Sequence, residues 1–87
     1  MSKKYTVIIK ESAQKQIKKL PPAYLKKVKS AILGLAENPR PHGCIKLQGG
    51  ENEYRIRVGV YRILYSIQDD KLIVFVFDTD HRKQVYR

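Results

Sequence analysis

The chain is 87 residues long, and its 18 lysines and arginines against 8 aspartates and glutamates leave a formal net charge of +10. That length supports a single domain over residues 1–87, burying roughly 60–65% of its unfolded surface around one core with no second lobe. A lone cysteine, Cys44, rules out an intramolecular disulfide and a cysteine-based zinc site,, and it fits a reducing, cytoplasmic setting.

Tyr5-Thr6-Val7-Ile8-Ile9 reads as a first strand, rich in β-branched residues and ended by Lys10-Glu11,. The run is too short for the core of a signal peptide or for a membrane span. Ser12 is positioned to cap a helix in which Ala13, Ile17 and Leu20 recur on one face,. Pro21-Pro22 stops that helix, and the second proline opens another, because the first helical turn does not need the missing N–H. From about Pro22 to Glu37, Leu25, Val28, Ile32 and Leu35 form a second apolar stripe, and Asn38-Pro39 ends it,. Two such helices make a hairpin whose stripes need a sheet to cover them, with Lys15, Lys18, Lys19, Lys26, Lys27 and Lys29 on the outer surface,.

Residues 39–43 (PRPHG) are a loop, in which His42 takes a structural part. Ile45-Lys46-Leu47 is a short strand and residues 48–52 form a turn. The segment from Tyr54 to Tyr65 then alternates around Gly59-Val60, with Gly59 at the first loop position as a type II′ turn requires,. In that register Val58 pairs with Tyr61, Arg57 with Arg62, Ile56 with Ile63, Arg55 with Leu64 and Tyr54 with Tyr65. Side-chain alternation puts Tyr54, Ile56, Val58, Tyr61, Ile63 and Tyr65 on a helix-covered face, and Arg55, Arg57 and Arg62 on the open one. Asp69-Asp70 turns the chain into Leu72–Phe77, a run apolar on both parities and therefore expected to be covered on both faces,. The fold class is α+β: an N-terminal strand, a helical hairpin and a mostly antiparallel twisted sheet of three or four strands.

The opposed Arg57 and Arg62 carry the functional signal. Like charges directly opposite each other destabilise a sheet, so a chain that keeps them has a use for an anion there. Three guanidiniums on a rigid platform suit a phosphate, and the net charge favours a polyanionic partner.

The stretch YRIRVGVYRILY, the acidic turn and apolar strand after it, and the terminal HRKQVYR together resemble the RelE/ParE superfamily of toxins, and within it the RelE-like mRNA interferases. The element order matches along essentially the whole chain. The resemblance implies a type II toxin that cuts mRNA in the ribosomal A site without a metal or other cofactor. It implies as partners the ribosome, mRNA and a cognate RelB-like antitoxin, with operator DNA reached only through the antitoxin complex and no membrane.

By position, the resemblance makes Arg55, Arg57 and Arg62 binders of the RNA phosphate, and Arg57, Arg62, Arg82 and Tyr86 parts of the catalytic site. RNA is cut without metal when the 2′-hydroxyl attacks the adjacent phosphate. Arginines stabilise the charge that develops there, and Tyr86 stacks on a base or orients the hydroxyl. Arginine stays protonated at physiological pH and is a poor base; the best-known interferase of the family it resembles has lysines where this chain has Arg55 and Arg57. His81 is therefore the candidate acid/base, with an unperturbed pKa of roughly 6.5. The alternative is a ParE-like toxin that binds and inhibits DNA gyrase without cutting RNA; a third reading is a degenerate member that only binds its antitoxin and DNA.

Overall fold

The computed structural model describes residues 4–81. Strand β1 (Thr6–Ile9) leads into helices α1 (Glu11–Lys18) and α2 (Pro22–Gly34), followed by β2 (Ile45–Lys46), β3 (Glu53–Val58), β4 (Tyr61–Gln68) and β5 (Ile73–His81). The strands form one five-stranded sheet in the order β1-β5-β4-β3-β2. β1 lies parallel to β5, and every other pairing is antiparallel. The expected three or four strands are thus the last four, and the first joins them as a fifth by crossing over the helical hairpin.

Ser12 does not cap α1. The backbone N–H of Lys10 is still bonded to the Val76 carbonyl at 2.8 Å, and the carbonyl of Lys10 already accepts from Gln14 at 2.9 Å. Strand runs into helix with no linker, so Lys10 takes the N-cap position without a side-chain bond. Gln14 reaches back instead, its Nε2 donating to the Ile9 carbonyl at 2.8 Å. Helix α2 stops at Gly34 rather than Glu37, because its end tightens into three-residue turns, with Leu35, Ala36 and Glu37 donating to Ile32, Leu33 and Gly34,.

The core lies between the helices and one face of the sheet. Ala13 and Ile17 of α1, and Val28 and Ile32 of α2, meet Ile63, Tyr65 and Ile67 of β4 and Val74 and Val76 of β5, all buried. The last strand departs from its expected form in two ways. It continues to His81 instead of stopping at Phe77, and it is fully covered on one face only: Val74, Val76 and Thr79 are buried, whereas Ile73, Phe75 and Phe77 are half-buried. The helices occupy a single side, so the other parity is sheltered just by its neighbours in the sheet.

A polar cluster pins the loop after α2. Arg40 makes a two-pronged salt bridge to Asp69 at 3.2 and 2.8 Å, Tyr5 donates to the same carboxylate at 2.6 Å, and the guanidinium of Arg40 also donates to the Tyr54 hydroxyl at 3.2 Å. These bonds favour the ionised carboxylate and hold Asp69 down to about 2, with Arg40 the larger cause and Tyr5 the second. A depressed carboxylate stabilises the fold above its unfolded pKa, near 4, and the contribution fades as pH falls toward the folded value. Urea midpoints should therefore drop between pH 5 and pH 2.5 in the parent chain, and drop less in Asp69→Asn. Equal acid losses in the two proteins would mean the cluster does not link pH to stability.

Candidate functional site

Hairpin β3–β4 has the register expected from its alternation, pairing Val58 with Tyr61, Arg57 with Arg62, Ile56 with Ile63, Arg55 with Leu64 and Tyr54 with Tyr65. Gly59 supplies the turn at φ +62°, while Val60 keeps a negative φ, the signs of a type II′ turn,. Glycine is also needed for space, because a Cβ at this position would stand 2.7 Å from the Tyr24 ring. That ring meets Tyr61 edge-on, with centroids 5.0 Å apart, and so seats the turn on α2.

With Ile56, Ile63 and Tyr65 committed to the core, the arginines take the opposite face. Arg57 is exposed, and Arg55 and Arg62 are half-buried. Arg55 and Arg57 line a hollow of about 320 Å³ together with Gly43 and Ile45. Gly43 has a φ of +92° and open space where a side chain would stand, so its backbone borders the hollow directly. The hollow exists because β2 is only two residues long: it covers β3 at Tyr54 and Arg55, then the chain folds away, with the Cys44 N–H bonded to the Pro41 carbonyl at 3.0 Å.

The 39–43 loop forming that wall is firmly held. The Tyr65 hydroxyl donates to the Pro39 carbonyl at 2.8 Å in the interior, and burial raises its pKa. Tyr54 stacks on Tyr65 at 6.1 Å, with Arg40 over its outer face at 5.2 Å. Sequence reading missed this arrangement, since nothing in PRPHG signals that Arg40 meets an aspartate 29 residues away. His42 is exposed and borders a cavity together with Arg57.

Strand β5 reaches the arginine row through a bulge. Tyr65 pairs with Val76 but Leu64 pairs with Asp78, leaving Phe77 as the extra residue. Without it, Arg62 would stand opposite Thr79, and Asp78 would fall opposite the buried Ile63. The bulge shifts the register, so that Thr79 takes the covered position, Asp80 pairs with Arg62 and His81 pairs with Tyr61,. The backbone of His81 therefore lies one residue beyond the Arg57–Arg62 row. Arg82 and Tyr86 lie outside the described residues, as does the His81 side chain. Among the described residues no three His, Cys, Asp or Glu side chains gather as a metal would need, and no helix is long and apolar enough to cross a membrane.

A strand, a helical hairpin and an antiparallel sheet with one arginine-bearing face define a known class. Residues 7–86 match the family model described as the ParE toxin of the type II toxin–antitoxin system parDE. RelE1 of Methanocaldococcus jannaschii is 33% identical over 87 residues, covering 97% of each chain. Toxin RelG of Mycobacterium tuberculosis is 33% identical over 84 residues, covering 95% of this chain and 97% of its own. Among solved structures, the chain is similar to one in the archaeal RelE–RelB complex of Pyrococcus horikoshii, with a TM-score of 0.82, 27% identity and coverage of 91% and 96%. The chain thus belongs to the RelE/ParE superfamily and is a RelE-family toxin of a type II toxin–antitoxin system.

Proposed function

We propose that this toxin is a ribosome-dependent endoribonuclease that cuts mRNA in the A site without a metal and so stops translation, and that a cognate RelB-like antitoxin neutralises it. The observation that carries the reading is the cross-strand pair Arg57 and Arg62 on the sheet face away from the helices, with Arg55 beside Arg57 in one hollow. The antitoxin part is supported by similarity to toxin chains solved as RelE–RelB and RelBE complexes.

In the reaction, the 2′-oxygen bonds to the adjacent phosphorus as its proton passes to a base, and the bond to the 5′-oxygen breaks as an acid protonates it. A 2′,3′-cyclic phosphate and a 5′-hydroxyl remain. Arg57 and Arg62 act on the phosphoryl oxygens, where fixed cationic donors oppose the developing charge. Arg82 joins them, Tyr86 stacks on or orients the nucleotide, and Arg55 holds phosphate. His81 moves the proton, since guanidinium cannot. His81→Gln should lower the single-turnover rate by ~10²-fold or more and flatten its pH dependence near neutrality; near-parental cleavage would remove His81 from the mechanism.

The family description names ParE toxins, which makes gyrase inhibition the second reading. Expression followed by two assays separates them: cut polysomal transcripts with normal supercoiling support the nuclease, whereas intact transcripts with lost supercoiling support the gyrase binder.

A further inference from the structure

Arg57 borders two hollows. The second, also about 320 Å³, opens between the end of α2, the 39–43 loop and the edge of β3 that β2 leaves uncovered; Gly34, Pro41, His42, Ile56, Arg57 and Val58 line it. We propose that this groove is a nucleobase subsite: it takes one base of the A-site RNA while the Arg55–Arg57 hollow takes the neighbouring phosphate. The proposal rests on the nuclease reading above and adds to it the place where a base is gripped.

The chemistry of the walls suits a base. Pro41, Ile56 and Val58 offer apolar surface to the flat faces of a heteroaromatic ring, and His42 with Arg57 offers polar groups to its edge. Imidazole both donates and accepts, and it stacks on bases as other aromatic side chains do. The volume falls within the roughly 300–1,000 Å³ of small-ligand pockets. Continuity through Arg57 matters most, since one nucleotide presents base and phosphate together and one side chain borders both hollows. The bonds from Tyr65 to Pro39 and from Arg40 to Asp69 hold the loop that carries Pro41 and His42, so the groove is formed before RNA arrives.

Gly34 makes the idea testable. It ends α2 with an ordinary φ, and a Cβ built on it meets nothing within 4 Å, so Gly34→Leu fills the groove without straining the backbone. His42→Ala removes an exposed ring. The experiment is single-turnover cleavage on ribosomes programmed with mRNAs in which the A-site nucleotides are made abasic one at a time. For the parent, one abasic position should slow cutting about 10-fold, in line with the ~1–3 kcal/mol that a stacked base contributes. Gly34→Leu and His42→Ala should be slower by a similar factor on intact mRNA and lose no further rate at that abasic position. Full parental rates for both variants, or an undiminished abasic penalty in both, would overturn the subsite while leaving the nuclease standing. No cutting of any template by the parent would remove the nuclease reading itself, and the subsite with it.

Discussion

Replacing Arg62 by alanine should lower single-turnover mRNA cleavage on ribosomes by ~10²-fold or more, and Arg57→Ala should do the same. Arg57 and Arg62 are cross-strand partners and in the proposed reaction act on one phosphoryl group, so the double variant should be barely slower than either single one, since residues acting as a unit are not additive. Arg62→Lys keeps the charge but loses the fork that matches two phosphate oxygens, and belongs between parent and alanine. Stability distinguishes this from a structural role. Arg57 is exposed and stands opposite a like charge, an arrangement that costs the sheet. Arg57→Ala should therefore melt no lower than the parent while losing activity. A variant that melts several degrees lower and still cuts RNA would show that the pair serves the fold.

Tyr65→Ala should be the most destabilising single change. Tyr65 is 0% exposed, and it packs between Tyr54 and the interior while its hydroxyl holds Pro39. Truncating a buried aromatic costs ~3–5 kcal/mol, against a total of about 4–13 kcal/mol for a domain of this size. Tyr65→Phe isolates the hydroxyl and should cost ~1–3 kcal/mol, the penalty for leaving the Pro39 carbonyl buried and unpaired. Because Pro39 anchors the loop bearing His42 and Gly43, Tyr65→Phe should also slow cleavage while the chain remains folded. Denaturant unfolding checks both: a Phe variant as stable as the parent would mean that the bond contributes nothing to holding the loop.

The hairpin was legible because it is a local object. Alternation through Tyr54–Tyr65 with glycine at the turn leaves one register that buries Ile56, Ile63 and Tyr65 together, and that same register places Arg57 opposite Arg62. The two helices were legible from their apolar spacing, and the start of the second from Pro22, but not the cap of α1 or the C-terminal end of α2. Lys10 displaces Ser12 as the cap because β1 remains hydrogen-bonded up to the helix, which local propensity does not encode. The bulge was invisible for a similar reason. Leu72–Phe77 is apolar at both parities, so no pattern marks Phe77 as the extra residue that brings Asp80 opposite Arg62. Nor does sequence spacing bring His42 to Arg57, since the loop acquires its path from Arg40, Tyr54 and Asp69, which come together only in the fold.

Primer extension on mRNA recovered from ribosomes incubated with the purified chain tests the central claim most directly. New 5′ ends inside the A-site codon, present with the parent and missing with Arg62→Ala, are the predicted result. Full-length transcripts with both proteins, or identical cuts with both, would contradict a phosphoryl-transfer site built on that arginine row.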